Sequence, residues 1–143
     1  MAQATAQRRD DDQAAPRAWS HGTFYWNERH THDIEHARRF YSETLGWTYE
    51  PFPMADGGTY WIAKSGPETV GGLFEMKDAC FDGAPEGWLA FIAVDDVDAR
   101  VAKAVAAGAE LMRPAFDVPD VGRIAILLDP GGAGIGWITP VTD

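Results

Sequence analysis

Alternating and helical spacings of apolar residues follow one another twice along the chain, in the same order. Thr23 to Thr31 (TFYWNERHT) is rich in aromatic and β-branched residues and reads as a strand. Asp33 offers an N-cap, after which Ile34, Ala37, Phe40, Tyr41 and Leu45 recur at helical spacing until Gly46 supplies a stop. A short strand begins at Trp47 to Tyr49. Two more follow, Thr59 to Ala63 and Val70 to Met76, around the turn-like Lys64-Ser65-Gly66-Pro67. After the loop FDGAPEG, Phe81 to Gly87, the order restarts. Trp88 to Val94 (WLAFIAV) reads as a strand. Asp95 and Asp96 offer caps for a helix with the stripe Val97, Val101, Ala104 and Val105, stopped at Gly108. Glu110 to Arg113, Arg123 to Leu128 and Gly134 to Ile138 then read as strands, the last two joined through Asp129-Pro130-Gly131-Gly132.

Asp33 and Asp95 begin the two helices, Gly46 and Gly108 end them, and Ala37-Arg38 and Ala99-Arg100 match at the same separation. A repeat of strand, helix and three strands marks a duplicated supersecondary unit, and neither half buries a sheet face alone. A doubly wound parallel sheet is the competing reading of alternating strands and helices. One helix for about four strands in each half argues against it, as does the lack of a glycine-rich phosphate loop after the first strand.

Composition narrows the class without changing that picture. The 143 residues fit one domain, and 45% hydrophobic with 24% charged residues is ordinary for a soluble globular protein. No apolar run approaches bilayer-spanning length. Met1 to Arg17 lacks the apolar centre of a secretory signal, and residues 1–20 are expected as a disordered or loose tail before a single domain over 21–143. The halves are expected at 22–78 and 86–140. A net charge of −10 argues against a phosphate-backbone partner and so against nucleic acid. The single cysteine, Cys80, excludes an intrachain disulfide framework, fits a cytoplasmic location and reads as a plain thiol.

The stretch TFYWNERHTHDIEHARRFYSETLGW, with its Arg39-Phe40-Tyr41 and Leu45-Gly46-Trp47, resembles the first strand and helix of the glyoxalase / bleomycin-resistance / extradiol-dioxygenase (vicinal oxygen chelate) superfamily. FIAVDDVDARVAKAVAAGAELMRPAFDVPDVGRIAILLDPGGAGIGWI resembles its second half. Trp26-Asn27-Glu28 and Pro114-Ala115-Phe116-Asp117-Val118 are similar to an antigen-like branch often found as two tandem modules. The resemblance spans Gly22 to Pro140 and implies an α+β fold, two βαβββ modules forming a cupped, roughly eight-stranded mixed sheet. It also implies that a single module pairs as an isologous homodimer.

In metal-dependent members four strand positions converge on one divalent ion. The resemblance places them on Trp26, Leu89, Gly136 and Glu75, of which only Glu75 carries a donor. The expectation is therefore a degenerate metal site, with no cofactor and a small, partly apolar or aromatic metabolite or drug as ligand. The pocket is expected to be lined by Trp26, Glu75, Leu89, Phe91 and Gly136, with Trp61 or Phe74 as further aromatic candidates. Alternation puts Glu28 and His30 on the face of Trp26. The competing reading is a lyase, isomerase or dioxygenase-type enzyme, metal-free or with a noncanonical metal, using Glu28, His30 and Glu75 for acid/base work. Its bland counterpart is a hydrogen-bonded Glu28–His30 pair on a polar rim. His32 and His36 are expected to face solvent. Arg29 falls on the face expected to pack under the helix, an odd place for a charge, for which an ion pair at an interface is one reading. The loop Phe81 to Gly87 is a candidate cover for the pocket mouth.

Overall fold

The computed structural model describes residues 18–141 of the chain; of the tail expected over 1–20, residues 1–17 lie outside the described residues. The first half comprises β1 (Phe24–Thr31), α1 (Ile34–Leu45), β2 (Thr48–Pro53), β3 (Thr59–Ser65) and β4 (Glu68–Glu75). The second comprises β5 (Gly87–Ala93), α2 (Val97–Ala106), β6 (Glu110–Val118), β7 (Gly122–Leu128) and β8 (Gly134–Pro140). One 3-10 turn, Ala79–Phe81, lies between them. The eight strands follow the order β2-β3-β4-β1-β5-β8-β7-β6. The sheet is mixed: β1 runs parallel to β4 and β5 parallel to β8, while the hairpin neighbours are antiparallel. This is the α+β, twice-βαβββ architecture that the spacing of the sequence implies.

The chain groups into two compact units, one over Asn27–Trp88 and the other from Leu89 onward together with the start of β1 up to Trp26. In the first, Asp33 accepts from the His36 N–H at 3.0 Å and so caps α1. Gly46 ends the helix at φ 74°, the left-handed conformation a side chain resists. Ile34 and Ala37 of α1 bury against Ala63 and Leu73, with Trp47, Tyr49, Trp61 and Val70 around them. Trp61 thus packs beneath the helix, its ring 3.9 Å from the Arg38 guanidinium carbon. The expectation that it would line the pocket is corrected by this register.

In the second unit Asp96, not Asp95, caps α2, accepting from the Ala99 N–H at 3.1 Å. Asp95 instead holds Arg100 through two 2.9 Å hydrogen bonds. Leu89, Phe91 and Ile138 form the core of one sheet face, flanked by Tyr25, Trp26, Ile124 and Ile126. With Asp33 and Asp96 as equivalent caps, Trp26 corresponds to Leu89, Glu28 to Phe91 and His30 to Ala93.

Two strands run further than alternation alone suggests. β2 continues through Pro51 to Pro53, and β6 runs past Pro114 to Val118. Both stand at the ends of the strand order, where a missing N–H removes no ladder bond. Register shifts on either side of Arg113 in β6 disguise its period in the sequence.

Candidate functional site

Alternation along β1 sends Glu28 and His30 to one face and Arg29 and Thr31 to the other. On the first face His30 Nε2 lies 2.7 Å from Glu28 Oε1. The Tyr60 hydroxyl on β3 donates to Glu28 Oε2, also at 2.7 Å. Both carboxylate oxygens therefore meet side chains of the chain itself. The acid is mostly buried, with 17% of its side chain exposed. A carboxylate accepts only, so the paired His30 nitrogen carries the proton and the ring is fixed in orientation.

Tyr60 reaches Glu28 because Gly72 stands between them. Gly72 is the β4 partner of Glu28, and the hydroxyl end of the Tyr60 ring fills the space that a Cβ at Gly72 would take. The imidazole of His30 meets Phe74 edge-on, centroids 5.7 Å apart, and Phe74 meets Phe81 in the same manner at 5.5 Å. A hydrogen-bonded acid, base and phenol thus stand beside an aromatic pair.

Glu75 takes no part in the two hydrogen bonds that join Glu28, His30 and Tyr60, but it lines a small pocket together with Phe74 and Phe81. It stands in register with Thr31, one residue beyond the His30–Phe74 pairing. Its nearest ion partner is Lys77 at 3.9 Å. In the second unit Trp26 packs against the core cluster of Leu89, Phe91 and Ile138, with Gly136 as the β8 partner of Phe91. The Phe91 ring occupies the room that a side chain at Gly136 would need. This duplicates the Gly72 arrangement with an aromatic ring and no polar tip. Among the described residues, no three His, Cys, Asp or Glu side chains gather as a metal-binding group.

Arg29, on the opposite face of β1, pairs with Glu86 at 3.0 Å. The His32 N–H donates to the other Glu86 oxygen at 2.7 Å, which with Arg29 holds that carboxyl below its ordinary range. His32 and His36 are exposed, the former with Nε2 2.7 Å from the Ala84 carbonyl, and His21 receives the Asp95 N–H at 3.0 Å. Cys80 is exposed. No described helix is long and apolar enough to cross a membrane. Tyr60, Gly72 and Glu86 are the residues that sequence reasoning missed. Tyr60 and Gly72 sit at strand positions whose pairing depends on the shift between Ala63 and Lys64, which no local spacing reveals.

A family model described as a glyoxalase-like domain matches residues 27–135. Putative glyoxylase CFP32 of Mycobacterium bovis is 40% identical over 116 residues, covering 80% of this chain and 44% of that protein. Anthracycline biosynthesis protein DnrV of Streptomyces peucetius is 25% identical, covering 82% of this chain and 54% of its own length. The chain thus spans less than half of the mycobacterial relative. Among solved structures, methylmalonyl-CoA epimerase of Mycobacterium tuberculosis superposes with a TM-score of 0.61 at 19% identity, covering 87% of this chain and 93% of that one. A methylmalonyl-CoA epimerase in complex with methylmalonyl-CoA gives 0.61 at 18%, covering 85% and 96%. At such identities the likeness is one of fold.

Proposed function

The chain belongs to the glyoxalase-like domain family, and on that premise we propose that it binds a small, partly apolar or aromatic metabolite or drug without the help of a metal. The observation that carries this reading is the closed trio of Glu28, His30 and Tyr60. A divalent ion requires several nitrogen or oxygen donors with open positions left for the substrate. Trp26, Leu89 and Gly136 offer none, Glu75 is a single carboxylate with Lys77 beside it, and Glu28 is already engaged at both oxygens. These residues do not fit such an ion. A polar tip beside Phe74 and Phe81 instead suits a flat ligand anchored at one end by hydrogen bonds.

The test couples elemental analysis with a thermal-shift screen of phenols, uncharged flat aromatics and acyl thioesters. Purified protein is expected to carry no stoichiometric divalent ion and to be stabilised by some members of the panel. That gain is expected to be lost in Glu28→Gln and His30→Ala. One ion per chain, released by Glu28→Gln, overturns the reading.

The 2.7 Å contact between Glu28 and His30 favours a second reading, a proton-transfer enzyme of the lyase or isomerase type. Glu28 would take a proton from an acidic carbon, leaving the electron pair on the substrate as an enolate, and return the proton, with His30 and Tyr60 orienting the carboxylate before the first transfer. Acyl thioesters are the first class to try, given what the epimerase neighbours bind. Solvent deuterium entering the α-position, abolished by Glu28→Gln with binding retained, selects this reading over the first. Both readings take the protein as cytoplasmic, apart from nucleic acid and membranes, and paired as a homodimer.

A further inference from the structure

The face of β1 that turns away from Glu28 and His30 borders a cleft of its own. It measures about 440 Å³ and is lined by Arg29 and Thr31 of β1, by Asp33, His36, Phe40 and Tyr41 of α1 and its cap, and by Glu86. We propose that this cleft is a second small-molecule site that takes an aromatic carboxylate, with Arg29 as its anchor. The proposal stands apart from the reading of the Glu28 face and survives its failure.

Arg29 is largely covered, 18% of its side chain being exposed, at a strand position where apolar residues ordinarily pack beneath a helix. Every hydrogen bond it makes among the described residues leaves from Nη1, to Glu86, to the His30 carbonyl and to the Gly87 carbonyl. The Nε–Nη2 edge is therefore not spent on any described residue. No atom of that edge is sealed from the surroundings, since among the described residues the one buried side-chain polar atom without a partner is Nε of Arg38. That edge is a planar pair of parallel donors, the shape that receives a carboxylate in two hydrogen bonds.

The other charged groups of the cleft are already committed. Glu86 gives one oxygen to Arg29 and the other to the His32 N–H, and Asp33 caps the helix. The unspent donor edge, rather than the net charge of a cleft that also holds Glu86 and Asp33, selects an acceptor group on the ligand. The wall beside it decides the rest. Phe40 is half exposed and meets Tyr41 edge-on at 4.9 Å, while Tyr41 stacks on Trp47 at 5.2 Å and accepts from the indole of Trp88. A ring packed on this wall, with its carboxylate at Arg29, covers apolar surface that the chain itself leaves open.

Calorimetric titration of the full chain with benzoate, acetate and inorganic phosphate tests the assignment. Benzoate is expected to bind saturably, one per chain, and more tightly than either other anion. Arg29→Lys keeps the charge facing Glu86 but loses the fork, and is expected to weaken benzoate about tenfold. Phe40→Ala, at an exposed helix position that folding tolerates, is expected to bring benzoate down to the level of acetate. Glu86→Gln removes a competing carboxylate and is expected to tighten binding. His30→Ala is expected to leave it unchanged. Absence of saturable benzoate binding overturns the proposal, as does phosphate binding as tightly as benzoate. Unchanged affinity in Phe40→Ala, or loss in His30→Ala, overturns it too.

Discussion

Tyr60 gives Glu28 its second hydrogen bond, and at 2.7 Å on a mostly covered acid that bond carries a measurable share of local stability. Tyr60→Phe keeps the ring over Gly72 and leaves Glu28 Oε2 short of a donor. It is expected to lower stability by about 1 kcal/mol, read from the urea midpoint. Gly72→Ala is expected to cost more, about 1–3 kcal/mol, because the added methyl meets the Tyr60 ring and one of them must move. A Gly72→Ala protein as stable as wild type would show that the ring has room to shift. The pairing of Glu28 with His30 was readable in the sequence, since it needs nothing beyond the two-residue period of one strand. Tyr60 lies on a different strand and Gly72 on a third, so their meeting depends on cross-strand register.

The helices and their ends were the most legible elements, because caps and apolar spacing are local. Even so, two adjacent aspartates before α2 left the choice of cap open, and the structure divides their work between capping and ion pairing. Asp96→Ala is expected to cost about 1 kcal/mol of stability through the loss of the cap. Asp95 has a different signature. Its hydrogen bonds from Arg100 hold its carboxyl well below the ordinary value of 3.8, down to about 2. A carboxyl with a depressed folded-state value contributes stability that is fully present above its unfolded value and disappears as pH falls through the folded one. Wild type is therefore expected to lose stability progressively between about pH 4 and pH 2 in a step that Asp95→Asn lacks. Acid titration by circular dichroism checks it. The pair lies open to solvent, so added salt is expected to shrink the difference. The strands were read less well than the helices. β2 and β6 contain prolines, which argue against a strand wherever both neighbours are paired and lose that force at an edge.

At the scale of the whole molecule, the repeat marked a duplicated unit, neither half of which buries a sheet face alone, and the family resemblance it carries implied the eight-stranded sheet. Chemistry did not follow from it. The halves share a glycine beside the first strand, yet one places a phenol and an acid there and the other a phenyl ring. The proposed homodimer makes a plain expectation: sedimentation at micromolar concentration gives twice the chain mass of 15.7 kDa, and a monomer there rejects it.

The prolines at the two ends of the strand order bear on how copies can meet. A neighbouring chain that tried to prolong the sheet would find Pro51 and Pro53 on one border. On the other it would find Pro114 beside a broken register. Both borders withhold the regular run of amide donors on which strand-by-strand growth relies, the growth that ends in fibres. Partners of this protein are thereby steered towards its side-chain surfaces and away from its backbone rims.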